Sequence, residues 1–150
     1  MGQKNALRQI IVAAVLGPIL VGLVGCSASN TGVAAYERPQ RDDDRVSADL
    51  VEGVTEELDL SSSRLVGETG DHRFYAVKYE ADTGDRGSCL VIVQDSAPET
   101  ATSGCSTALP IEVSLSGTSP VRARLGSFEG NETGGWSRIT DDLFVQAPKS

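Results

Sequence analysis

From residue 111 onwards the chain alternates. Ile111, Val113 and Leu115 are separated by Glu112 and Ser114, and Val121, Ala123 and Leu125 by Arg122 and Arg124. A period of two sends successive side chains to opposite faces of a strand, so both segments read as half-buried strands. Folding the chain about Thr118 pairs Ile111 with Leu125, Val113 with Ala123 and Leu115 with Val121. The same register sets Glu112 opposite Arg124 on the polar face. Pro120 falls at the loop edge, where its missing N–H does little harm.

The same period runs through residues 64–68 and 73–79. They flank Thr69-Gly70-Asp71-His72, with Gly70 at the first central position of a type II′ turn. That register sets Glu68 opposite Arg73, a charge pair worth ~0.2 to 1 kcal/mol, and Val66 opposite Tyr75. Residues 80–87 (EADTGDRG) form a turn-rich loop. Residues 88–93 (SCLVIV) are continuously apolar after Ser88, which marks a central strand covered on both faces. Residues 143–145, behind an Asp141-Asp142 turn, predict a last short strand, with Trp136 packed on the sheet.

A longer period appears before these strands. Val46, Leu50, Val51, Val54 and Leu58 share one helical face. Asp44 is placed to cap that helix, and Gly53 weakens its centre, so the pattern predicts a short helix over 44–52. Ser61-Ser62-Ser63 reads as a loop. The expected fold is mainly β, of the α+β class: a small antiparallel β-sheet domain over 61–150, with one short N-terminal helix and one disulfide.

The first 25 residues follow a different rule. Lys4 and Arg8 precede an uncharged apolar run over 10–24 (IIVAAVLGPILVGLV), and no acidic residue occurs before Glu37. As a helix that run spans about 22 Å, short of the ~30 Å hydrocarbon core. Pro18 would also interrupt it. The pattern predicts a cleaved export signal over 1–25; an uncleaved helix and a cut at another bond are the competing readings. Residues 27–45 are small, polar and then charged, which predicts a flexible acidic tether between Cys26 and the helix. With the helix, this tether makes up the expected segment 26–60.

Charge narrows the function classes. Removing Lys4 and Arg8 leaves 11 basic residues against 21 acidic ones, a formal net charge of −10. Such a surface repels phosphate backbones and anionic headgroups, so nucleic-acid binding and purely electrostatic membrane binding are excluded as expectations. A domain of this size is also too small for a two-lobed solute-binding protein.

Three cysteines are an odd number. Setting Cys26 aside leaves Cys89 and Cys105, an even pair that predicts a disulfide in an exported chain. Leu23-Val24-Gly25-Cys26 resembles the lipobox of bacterial lipoproteins. That resemblance implies cleavage before Cys26, attachment of diacylglycerol and fatty acid (such as palmitate) to it, and a lipid anchor on the extracytoplasmic face of the cell membrane. The stretches "SSRLVGE", "FYAVKY", "CLVIV", "SGC" and "GGWSRITDDLFV" are similar to those of small cell-envelope lipoproteins of actinobacteria. That likeness implies a β-rich domain with two paired cysteines, and no activity.

Candidate chemistry is sparse. His72 is the one histidine. It sits in an expected exposed turn, with no Gly-x-Ser-x-Gly elbow to supply a nucleophile. Asp82 and Asp85 flank Thr83-Gly84, a turn signal before it is a cation site. Asp42-Asp43-Asp44 lacks the spacing of a calcium loop, and no zinc, haem or phosphate-loop pattern occurs. Asn131-Glu132-Thr133 matches a glycosylation acceptor. No catalytic, metal or cofactor residues are assigned. The expected function is a non-catalytic envelope module that binds or scaffolds a protein or small-molecule partner. An enzyme or enzyme accessory acting on the cell wall or secreted substrates is the alternative.

Overall fold

The computed structural model describes residues 32–51, 58–127 and 134–146. The apolar run at 10–24, Cys26 and Asn131 lie outside them. The described chain is mainly β, in two antiparallel sheets of four strands. Strands β1 (Leu58–Thr69), β2 (His72–Glu80), β3 (Arg86–Gln94) and β4 (Thr102–Ser106) follow one another across the first sheet. Strands β5 (Ile111–Leu115), β6 (Val121–Leu125), β7 (Ser137–Arg138) and β8 (Leu143–Gln146) form the second, in the order β5-β6-β8-β7.

The alternation explains how the sheets meet. Phe74, Ala76, Leu90 and Ile92 of the first sheet join Val113, Leu115, Ala123, Leu125, Leu143 and Val145 of the second in one buried cluster. The two sheets therefore stack face to face as a sandwich. The β5–β6 register is the one read from the alternation, with Ile111 opposite Leu125 and Glu112 opposite Arg124. Gly67 marks a close approach between the sheets. A Cβ there would lie 2.6 Å from the Leu143 side chain and 3.0 Å from that of Ile139.

Strand β3 is buried from Gly87 to Gln94, and its two faces meet different partners. Leu90 and Ile92 face the second sheet. Val91 and Val93 face outward, where they pack with Tyr75, Val77, Val46 and Val51. The N-terminal segment is thus a third, partial layer. It also explains why SCLVIV carries no polar alternation.

This layer corrects the expected flexible tether and the placing of the domain start at 61. Within the described residues from 32 onwards, Val33, Asp44, Val46 and Val51 are buried. The helix expected over 44–52 is instead two 3₁₀ turns, Asp42–Asp44 and Ala48–Leu50, with another at Ala34–Glu37. Arg45 and Ser47 are extended between them. The cause is Asp44, which folds back into the protein instead of capping a helix ahead of it. Its carboxylate accepts two bonds from the Arg38 guanidinium, at 2.5 and 2.6 Å. It also accepts the backbone N–H groups of Arg41 (2.6 Å) and Leu65 (2.9 Å). Farther up the chain the Asp142 carboxylate accepts the N–H groups of Ala34 and Ala35, at 2.9 and 2.8 Å. Two buried carboxylates therefore fasten the segment to the sandwich.

The edge strand β1 is finished by the same contacts. Arg38 donates to the Leu65 carbonyl, Gln40 to the Ser63 carbonyl and Thr140 to the Val66 carbonyl. Side chains thus occupy an edge that would otherwise offer itself to another strand. Ser61-Ser62-Ser63, expected as a loop, lies within β1 where its register shifts. The Ser62 hydroxyl accepts the Lys78 N–H at 2.7 Å and donates to the Asp59 carbonyl at 2.6 Å, replacing ladder bonds. A second shift follows Leu65, so Tyr75 faces Leu65 and not Val66. Glu68 faces Arg73 as expected, and Gly70 turns the chain at φ 57.

Candidate functional site on the outer face of the second sheet

Alternation puts Arg122 and Arg124 of β6 on the face that points away from the core. Neighbouring strands extend this into rows: Glu112, Arg124, Phe144 and Arg138 lie side by side across β5, β6, β8 and β7. Ser114, Arg122 and Gln146 form the next row. Glu112 accepts a hydrogen bond from Arg124 at 2.8 Å and another from Arg122. The Arg124 bond, with help from Arg122, holds the Glu112 carboxyl below its ordinary range against partial burial. Arg122 also donates to Gln146 at 3.0 Å.

Trp136 lies over this lattice. The Arg124 guanidinium is 4.5 Å from its ring centre and that of Arg122 is 5.5 Å away, within the range of cation–π attraction. Trp136 itself is half-buried. The chain reaches that position through Gly134 and Gly135, both at positive φ, and Gln146 donates to the Gly134 carbonyl. Arg138 stands 6.0 Å from the Phe144 ring centre and pairs with Asp141 at 2.5 Å. The face therefore presents three guanidiniums, an indole and a carboxylate on one sheet. Such a set can bind planar, carboxylate-bearing or aromatic groups.

The other candidate residues fall elsewhere. Cys89 and Cys105 are directly opposite on β3 and β4 and are bridged, with Cα atoms 4.0 Å apart. His72, expected in an exposed turn, is buried at the start of β2, with Nε2 2.9 Å from the Ser119 carbonyl. That carbonyl can only accept, so Nε2 carries the proton and ties β2 to the β5–β6 loop. Beside it Ser96 and, more weakly, Gln94 donate to Asp71, and these bonds hold the Asp71 carboxyl below its ordinary range. Asp82 and Asp85 are exposed, and the Asp85 carboxylate accepts the Thr83 hydroxyl at 2.9 Å. Asp44 and Asp142 are buried structural carboxylates. Among the described residues no three His, Cys, Asp or Glu side chains group as a metal site. No described helix is long and apolar enough to cross a membrane.

One further half-buried polar group stands apart. The Tyr36 hydroxyl lies 3.4 Å from the Ser88 hydroxyl, and Lys78 sits 4.8 Å from its ring centre. Burial pushes the Tyr36 phenol up to about 12, despite the Ser88 bond. It is a packing residue of the N-terminal layer and no base at neutral pH.

Sequence reasoning found the Glu112–Arg124 pair because one strand period and one turn determine it. The partnership of Trp136 with both arginines joins residues on two distant segments, and only the arginine pair on the polar face of β6 signalled it. No family model matches the chain, and no curated protein or solved structure shows significant similarity to it.

Proposed function

We propose that this chain is a bacterial envelope lipoprotein, anchored through Cys26 on the extracytoplasmic face of the membrane, whose sandwich is a non-catalytic binding or scaffolding module. The observation that carries this reading is Leu23-Val24-Gly25-Cys26 at the end of an uncharged apolar run behind a basic start. The Cys89–Cys105 bridge supports it, because such bonds persist in oxidising compartments. Two or more acyl chains hold a protein stably, at ~0.8 kcal/mol per buried methylene.

The Trp136 face is the docking surface in this reading. Trp and Arg dominate the energetic centres of protein interfaces. Three guanidiniums gathered on a chain of strongly negative net charge favour a protein partner that presents carboxylates. A photo-reactive residue at Ser114, on the same face, should crosslink a partner in cells. Trp136→Ala should abolish that product, and unchanged crosslinking would remove the face from the account.

The anchor has its own test. Cells fed radioactive fatty acid should label the protein, and Cys26→Ser should lose the label and leave the membrane fraction. Persistent labelling of the Ser variant would refute attachment at Cys26.

A further inference from the structure

The docked N-terminal segment shortens the link between anchor and domain. Were residues 27–45 a free tether, the domain could stand some 65 Å from Cys26, at ~3.4 Å per residue. The folded body already begins at Gly32 and Val33. Six peptide units separate Cys26 from Gly32, a reach of at most about 22 Å.

The place where the segment joins the sandwich is also defined. A Cβ on Gly32 would lie 3.0 Å from the Leu109 side chain, and one on Gly126 would lie 3.1 Å from it. Asp142 clamps Ala34 and Ala35, and its carbonyl accepts the Gly126 N–H at 2.8 Å. Ser88, near the Arg86 end of β3, meets Tyr36 of the same segment. All of these residues belong to one end of the sandwich, the end at which the 81–85 loop joins β2 to β3. The opposite end carries Gly70, His72, Gln94 and the 116–120 loop, joined through the His72–Ser119 bond. The nine residues of β3 separate the two ends by about 27 Å.

We propose that the end bearing Leu109 and the 81–85 loop faces the bilayer, and that the end bearing Gly70 and the 116–120 loop points away from it. This rests on anchorage at Cys26. A tether shorter than the body it holds keeps the attachment end within about 22 Å of the bilayer and leaves no room for the body to stand inverted beneath it. Exposed Asp82 and Asp85 at that end oppose close adsorption to an anionic leaflet within a Debye length, ~8 Å at physiological salt, so the body stands off the surface. The Trp136 face then stands side-on to the membrane. Its partner must present itself within about 50 Å of the bilayer, as a membrane-bound protein or the membrane-proximal part of one.

The test uses the full lipidated chain in phosphatidylcholine vesicles that contain an acceptor-labelled lipid. A donor dye is attached at Thr83→Cys on the near end or at Thr118→Cys on the far end. Energy transfer should be at least about twofold stronger from position 83, given the ~27 Å offset. A flexible spacer of about 15 residues inserted after Ser29 should abolish the difference. Equal transfer from both positions with the native link, while the protein floats with the vesicles, would overturn the orientation and leave the anchor standing. Protein that stays in the supernatant would overturn the anchor, and this inference with it.

Discussion

Asp44→Ala is expected to cost about 3 kcal/mol of stability, the lower end of the range for breaking a buried ion pair. Asp44 is fully buried, and Arg38 is 29% exposed at its side chain. The substitution leaves a guanidinium without its carboxylate and strips acceptors from the N–H groups of Arg41 and Leu65. It also unfastens the segment that covers Val91 and Val93. Urea unfolding should show a lower midpoint together with greater protease access between residues 38 and 51. An unchanged midpoint would mean that the segment is not part of the cooperative unit.

The same group gives a pH signature. Burial opposes ionisation of Asp44, but the bonds from Arg38, Arg41 and Leu65 outweigh it and hold its carboxyl at about 2, against an ordinary value of 3.8. A depressed folded value means that the unfolded chain binds the proton first. The stabilisation is therefore complete above pH ~4 and is lost as pH falls through about 2. Asp44→Asn should flatten the acid limb of the stability curve in that window, and an unaltered limb would contradict the assignment.

Removing the Cys89–Cys105 bridge should cost about as much, roughly 3 kcal/mol for a loop closed across a separation of 16 residues. The bridge joins directly opposed positions of β3 and β4, so it also pins the five-residue edge strand β4 to the sheet. Next to it, Gly87 leaves room that no side chain could take, because a Cβ would lie 2.3 Å from the Ser106 carbonyl oxygen. The double Cys→Ser variant should unfold at lower urea, and oxidant should have no effect on it. A midpoint unaffected by reductant in the native chain would refute a stabilising bridge.

How much the sequence disclosed follows from the range of the interactions. The β5–β6 hairpin was fully legible because Ile111 to Leu125 carries its own period, turn and charge pair. The β1–β2 hairpin was legible only up to Gly67. The bulge at Ser61 to Ser63 depends on partners supplied by Gln40, Val46 and Lys78, and at the Val66 bulge the carbonyl is taken by Thr140. The N-terminal layer was hidden for the same reason. Its acidic residues read as solvated, yet Asp44 finds Arg38 and a strand edge, and the exposed-looking Asp142 finds two amides more than one hundred positions away. Periodicity reports which face of an element is apolar and is silent on which buried carboxylate will be satisfied. The Trp136 cluster lay between these extremes, with the arginines visible from alternation and the indole placed by the second sheet.

Whether lipid on Cys26 holds the chain to a membrane is decided by the intact mass of the membrane-extracted protein. The expected polypeptide begins at Cys26 and is heavier than its amino-acid mass by a diacylglycerol and acyl increment and lighter by two hydrogens for the Cys89–Cys105 bridge. A mass matching the chain from Met1, or a chain starting at any other residue without a lipid increment, would contradict it.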